Sequence, residues 1–464
     1  MDGVKKQETY ETDWLASKPV YYNTKNNKVS NNINDVIEYR SLEIHKEGLN
    51  NYLDFGYSVF GQTPIKNVKF LGHSEKLVLT NNGNLKKVSK EDKFRNWIDK
   101  SVSEKRVIEK IKSKVRSWEE NEEIAVIPMS GGFDSRILSV LTERRENLKA
   151  FTYGLSEDQS NSEEVIYAKL LSDRLNIDWS QVKLGDFHKY FEEWYSIYGP
   201  SIHSHGMYQM EFYKKVNKQI DTNNSIPLLS GIIGDVWAGG VKVPEIKSPS
   251  DVYKLGYTHG LRSSSEYSNY EDDGKLRREY FETHRDLLEN PRFRIVEAMR
   301  RKIILLSYLF AVPRQFSFAP WSPFLDVDVA GMMLAIPDHR RENREWQRDF
   351  FRDNNVYFEE MDIDASSQNN LNAQAMRRIP PRPLDSEILS RIVQPNYVRW
   401  INRTVGKQGA LWDSLFGLLD IPKLGGVLRR VGLEDQRLDA YQAYLTLRPL
   451  EMLLKRCQAR RNHI

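Results

Sequence analysis

Ile124-Ala125-Val126-Ile127-Pro128-Met129-Ser130-Gly131-Gly132-Phe133-Asp134-Ser135-Arg136-Ile137-Leu138-Ser139-Val140-Leu141 decides how the middle of the chain folds. Its first six residues are apolar without alternation, as in a strand buried on both faces. From Arg136 a helix is expected over 136–146, with its apolar side on the sheet. The join holds paired glycines, which permit a tight turn and let backbone N–H groups approach a ligand. The helix N-terminus adds free donors and a partial positive charge, so the join is an anion cradle. Ser130 and Ser135 contribute hydroxyls, and Asp134 supplies a carboxylate where a magnesium ion bridging phosphate oxygens needs one. The plainer alternative is a strand-to-helix turn with Asp134 as its N-cap. There is no Gly-x-x-x-x-Gly-Lys-Ser/Thr loop, which disfavours transfer of a terminal phosphate.

Working outward, further apolar strands are expected at 148–153 and 226–229 and a helix at 162–175. Strands alternating with amphipathic helices predict an α/β fold, a parallel sheet with helices on both faces. Upstream, Pro19 to Tyr22, Val68 to Leu71 and Leu77 to Leu79, with a turn at Asn81-Asn82-Gly83-Asn84, read as a small β-rich unit. The expected organisation is a β-rich unit over 1–93, a charged linker helix over 94–120, the parallel-sheet domain over 121–350 and a helical, basic region over 351–464. Ser248 to Lys275, rich in Ser, Tyr and acidic residues, reads as an exposed excursion, followed by largely helical chain.

The 464 residues exceed what one hydrophobic core supports, and 40% hydrophobic with 28% charged residues is an ordinary globular composition. The longest apolar run, Ile303 to Val312, is too short to span a bilayer and reads as a buried helix. The polar N-terminus carries no secretory signal, so a cytoplasmic address is expected. A lone cysteine, Cys457, excludes an internal disulfide and a cysteine-based zinc cluster. The net charge is only +4, but from Leu371 onward basic residues outnumber acidic ones roughly two to one. With no nucleic-acid module beside it, that asymmetry points to an anionic small substrate rather than to nucleic acid.

Ser130 to Ser135 resembles the pyrophosphate-binding loop of the PP-loop ATP pyrophosphatases (adenine nucleotide alpha hydrolase-like), which cleave ATP between its α and β phosphates. The order of features is similar to the synthetase domain of asparagine synthetase and its relatives, β-lactam synthetase and lasso-peptide cyclase. Leu148 to Gly154 with Glu163, Glu164 and Ala168 resembles the family's second strand and acidic helix. That likeness implies that Phe151, Thr152 and Tyr153 hold adenine. Leu228-Leu229-Ser230-Gly231, then Gly234-Asp235 and Gly239-Gly240, resembles the family's Ser-Gly-Glu-Gly-Ala-Asp-Glu-Leu-Phe-Gly-Gly segment. It implies that Ser230 and Gly231 lie near AMP and that Asp235 is a second magnesium carboxylate beside Asp134. Pro323-Phe324-Leu325-Asp326 matches a short helical motif of the family.

The N-terminal unit resembles the second half of the family's glutaminase (Ntn-like) domain, with the first half expected to be missing. An active glutaminase of that class needs cysteine after the initiator methionine, and the chain has Asp2 there. Nitrogen is therefore expected as ammonia, from a separate glutaminase subunit, or as an amine. Ile232 and Val236 stand where the family carries glutamates, which disfavours aspartate as acceptor. The stretch Ser201 to Glu211 is a candidate acceptor pocket, in which His203 and His205 either bind a carboxylate or act as base, or else cap the next helix. No counterpart of the family's late lysine is evident; Arg344 and Arg348 are candidates to face the α-phosphate, against the alternative of an ion-paired helix face.

The resemblance implies a ligase using ATP and Mg2+ that makes an acyl-adenylate and then an amide, on a specialised metabolite or a uronic acid of a surface polysaccharide. Asparagine formation from aspartate, RNA modification and a non-catalytic scaffold are the alternatives. Oligomeric state is open.

Overall fold

The computed structural model of the protein describes residues 8–80, 83–120, 122–220, 224–256, 263–409, 412 and 434–461. Six short strands come first: β1 (Thr9–Glu11), β2 (Tyr21–Asn23), β3 (Val29–Ser30), β4 (Val68–Phe70), β5 (Glu75–Leu79) and β6 (Leu85–Ser89). They pair antiparallel in two sheets, β1-β5-β6 and β3-β2-β4. Asn81 and Asn82 of the expected turn, like Asp2, lie outside the described residues. The unit is not purely β: α1 (Lys46–Phe55) buries Leu49, Tyr52, Leu53 and Phe55 and ends at Gly56 in the left-handed region. Tyr52 donates to the Thr446 carbonyl at 3.0 Å, and residues 21–68 share one hydrophobic core with the C-terminal helices. The charged stretch after β6 holds α2 (Glu104–Glu119), with Val107, Ile111 and Val115 buried.

The central run forms β7 (Ala125–Pro128) and passes through the Ser-Gly-Gly turn into α3 (Phe133–Leu141). There follow β8 (Leu148–Thr152), α4 (Glu163–Leu175), β9 (Asp178–Gln181), α5 (Met207–Asn217), β10 (Ile226–Leu229), α6 (Pro291–Leu306), α7 (Tyr308–Gln315) and β11 (Phe318–Trp321). The five strands make one parallel sheet, ordered β11-β10-β7-β8-β9. This is the expected α/β architecture, with a helical C-terminal region that includes α8 (Glu345–Asp353) and α9 (Arg437–Arg461). β7 runs down the middle with Val126 and Ile127 fully buried, which is why it could not alternate. No described helix is long and apolar enough to cross a membrane.

Four local differences from the expected elements have physical causes. α3 starts at Phe133 rather than Arg136, because the Gly132 carbonyl already accepts the Arg136 N–H at 3.0 Å; it ends at Leu141, where Thr142 turns extended. β11, inside the stretch expected to be helical, and the unread β9 are both sheet edges. An edge strand pairs on one side only, so it tolerates Pro320 in β11 and the polar Asp178-Trp179-Ser180-Gln181 of β9. The run Ile303 to Val312 is two helices rather than one, broken at Ser307, whose hydroxyl donates to the Ile304 carbonyl at 2.7 Å. Finally, the excursion is not all exposed: Val252 and Leu255 pack with Tyr280, Phe281 and Leu288.

Candidate active site

Parallel strands deliver their C-terminal ends to one edge, and the loops leaving β7, β8 and β10 meet there. In the β7 loop, Gly131 has φ +67°, and a Cβ on it would lie 2.3 Å from Tyr167 Cβ and 2.8 Å from the Ala168 N of α4. Only glycine lets the turn sit that tightly on the helix. The Gly131 carbonyl faces away from the open edge and accepts from Arg136 Nη2 at 2.7 Å and Nε at 3.2 Å. Buried Ser135 donates to the Gly132 carbonyl at 3.1 Å, and Ser130 Oγ accepts the Gly132 N–H at a loose 3.3 Å.

The loop after β10 packs directly on this turn. Asp235 N–H donates to Asp134 Oδ2 at 2.8 Å, and a Cβ on Gly234 would lie 2.8 Å from both Cγ and Oδ1 of Asp134. Ile233, in the same loop, has φ +59°. A β-branched residue there is a strained conformation that surrounding packing must hold, and Ile233 is buried in the core beneath the sheet edge. Asp134 Oδ1 is buried without a hydrogen-bond partner. Burial, then the charge of Asp235, raise the Asp134 carboxyl well above the usual carboxylate range, against the Asp235 N–H and Arg344. An orphaned carboxylate oxygen next to a second carboxylate fits a hard divalent cation such as Mg2+, which would satisfy both.

Over the loop lies the start of α8. Arg344 and Arg348 bring their guanidinium carbons to 4.2 and 5.7 Å from the Phe133 ring centroid. Asn343 and Arg344 have φ of +51° and +60°, two consecutive left-handed residues that aim the Arg344 side chain back to the loop. The ion-pair alternative applies in part to Arg348, which reaches Glu345 at 4.0 Å and donates to Tyr357 Oη at 2.6 Å.

Residues 122–301, from three residues before β7 into α6, match the family model "Asparagine synthase". Over that stretch the chain is similar to the asparagine synthase family. That is a family of ATP-utilising ligases. The chain is also similar to the NH3-dependent NAD synthetase from Campylobacter jejuni subsp. jejuni NCTC 11168, solved in complex with the nitrate ion. Identity is 15%, covering 44% of this chain and 96% of that one, with a TM-score of 0.26, a likeness too low to assign residues or substrate. No curated protein matches the sequence.

Within residues 122–301, Phe151 and Thr152, the residues expected beside adenine, are engaged with the sheet. Phe151 O accepts from Met129 N at 2.9 Å and Thr152 O from Val182 N at 2.7 Å, while Thr152 Oγ1 donates to the Met129 carbonyl. Tyr153 is the first residue beyond them. Ser230 N donates to Trp321 O at 2.8 Å, fixing where the β10 loop departs. Ile232 and Val236 are buried, and as aliphatic side chains they offer no charge to the site.

The two histidines do not cap the helix that follows them: Gly206 occupies the cap of α5, and no side chain caps it. His203 is buried, with Nδ1 accepting the His205 N–H at 3.2 Å. His205 meets the Tyr208 ring edge-on with centroids 5.5 Å apart, and Tyr208 in turn meets Tyr153 at 5.7 Å, which links His205 to the sheet edge. Glu211 is spent on the Gly185 and Asp186 N–H groups and on Lys215.

Two residues were missed in the sequence. Lys302, on α6, is buried, and burial lowers its ammonium to about 7 while Asp235 pulls the other way. The available signal was a lysine at the head of an apolar run. Arg136 is 1% exposed, and the signal was a single charge inside an otherwise apolar helical stretch.

Proposed function

We propose that the protein activates a substrate carboxylate with ATP and converts it to an amide. A carboxylate oxygen attacks the α-phosphorus, the bond to the β-phosphate bridging oxygen breaks, and pyrophosphate leaves with its electron pair. Ammonia or an amine then adds to the acyl carbon, AMP departs, and the nitrogen gives up a proton. The observation that carries this reading is the pair Asp134 and Asp235, with Oδ1 of Asp134 enclosed and unpartnered at the edge where the glycine turn meets the β10 loop.

In the proposed mechanism the N–H groups of the turn and the N-terminus of α3 bind the departing phosphates, whose charge grows in the transition state. Asp134 and Asp235 would hold Mg2+, which supplies charge neutralisation at the phosphate oxygens. Arg344, in reach of Phe133 and Asp134, binds the phosphate that stays with the acyl group, with Arg348 beside it. Tyr153 with the backbone of Phe151 and Thr152 borders adenine, and Ser230 and Gly231 border AMP. His205 is assigned to orienting the acceptor through Tyr208 rather than to chemistry.

The acceptor side is rich in hydroxyl groups: Tyr208 and Tyr308 hydroxyls lie 3.5 Å apart, and Gln209 Nε2 donates to Tyr153 Oη at 3.3 Å. Such a wall suits a polyhydroxylated acid such as a uronic acid, and the apolar Ile232 and Val236 do not suit the ammonium of aspartate. The test is a pyrophosphate-release screen over sugar acids, aspartate and other carboxylates, with and without ammonia. Stimulation by a uronic acid supports the reading; ADP and orthophosphate as products overturn it, and asparagine from aspartate replaces the acceptor.

Arg344→Gln should weaken ATP·Mg2+ binding at least about ten-fold, since charge-assisted phosphate contacts contribute roughly 1.5–3 kcal/mol. Arg344 is only partly buried, so the melting temperature should move little. Isothermal titration beside a thermal melt checks both, and unchanged affinity removes Arg344 from the site.

A further inference from the structure

Arg136 follows the glycine turn by one helical turn and is buried, which for a charge is costly unless it is fully partnered. Its guanidinium makes four bonds: Nη2 and Nε to Gly131 O, Nη1 to Val356 O at 3.1 Å and Nη1 to Glu359 Oε2 at 2.9 Å. Four rings enclose it, those of Phe133, Phe351, Phe358 and Tyr167, with centroids 5.1–5.8 Å from the guanidinium carbon. The rings keep water from competing for those bonds and favour the cation on their faces.

We infer that Arg136 is a positioning residue for nucleotide binding, a clasp that sets the peptide plane between Gly131 and Gly132. The inference rests on the ATP reading above. In a planar trans peptide the C=O and N–H point in opposite directions. Two guanidinium donors drawing the Gly131 carbonyl toward the core therefore turn the Gly132 N–H outward, where among the described residues it donates only to Ser130 Oγ, at 3.3 Å, a contact that a phosphate oxygen can replace. Without the clasp, a glycine pair is free to flip this plane and present a carbonyl to the phosphate. The same guanidinium grips residues 356–359, which follow α8. The underside of the turn and the helix that begins beside Arg344 are thus held in register by one side chain.

The experiment compares Arg136→Lys, which keeps the charge but loses the planar fork, with Glu359→Gln, which removes the ion pair and leaves the clasp on Gly131. Affinity for ATP with Mg2+ is read by isothermal titration and stability by thermal melts on the full chain. The expected result is at least a ten-fold loss of affinity for Arg136→Lys and less than a two-fold change for Glu359→Gln, whatever the two melts do. Methylguanidinium added to Arg136→Ala should restore part of the affinity. Wild-type affinity in Arg136→Lys, or losses in both variants that simply follow their melting temperatures, overturns the clasp while leaving the ATP reading intact. A wild-type protein that binds no ATP overturns both.

Discussion

Asp134→Asn is expected to make the ligand-free protein more stable while removing its ability to release pyrophosphate. The carboxylate is raised well above its ordinary range by burial first and by Asp235 second, so the folded state holds this proton more tightly than the unfolded chain does. Stability from this group is consequently lost as the pH rises through the folded value and regained as it falls toward the unfolded value of about 3.9. The neutral amide lacks the penalty and can still accept the Asp235 N–H. Its melting temperature should exceed wild type by roughly 2–4 °C for each kcal/mol relieved, with the excess largest near pH 8 and shrinking on acidification. Mg2+ with ATP should reverse the order, raising the wild-type melt and leaving the variant where it was, because only the carboxylate gains a partner. Pyrophosphate release should drop by about 10²–10³-fold or more. Gly132, not Asp134, is the N-cap of α3, so the capping alternative does not hold; a variant that melts lower than wild type at pH 8 would show that Asp134 serves the structure instead, bracing the β10 loop through the Asp235 N–H.

That coupling of instability to chemistry explains why some of the molecule is legible in sequence and some is not. β7, β8 and β10 could be read because strands buried on both faces have no choice but continuous apolar residues, and the glycine turn because its backbone needs residues that nothing else replaces. β9 and β11 were unreadable for the complementary reason, since edge strands leave one side free and their composition is unconstrained. At the site, Asp134 and Asp235 stand beside glycines at a fixed distance along the chain. Arg344 is brought over Phe133 only by two left-handed residues that no periodicity announces. Lys302 and Arg136 sit within apolar helical patterns, where a single charge looks like noise until the fold shows that it faces Asp235 or Gly131.

The second large effect is expected at Gly131, and a contrast inside the loop isolates its cause. Gly131→Ala must place a methyl 2.3 Å from Tyr167 Cβ and 2.8 Å from the Ala168 N and Tyr167 C, and two of those three atoms are backbone of α4, which cannot rotate aside. The left-handed φ of +67° adds roughly 1–2 kcal/mol of conformational strain for any L-side chain, and overpacking against a helix adds about 1–3 kcal/mol. A total near 3 kcal/mol corresponds to a fall of roughly 6–12 °C in melting temperature. Gly132 has φ −66°, and the nearest neighbour of an added methyl is the movable Ser130 Oγ at 3.1 Å. Gly132→Ala should therefore melt within about 2 °C of wild type, in the range of ordinary tolerated substitutions. Because displacing the turn from α4 also pulls the Gly131 carbonyl off Arg136, Gly131→Ala should lose ATP binding even well below its melting temperature, a loss that a titration at 10 °C reads separately from unfolding. Equal melts for the two alanine variants would mean that the turn does not sit against α4 as described.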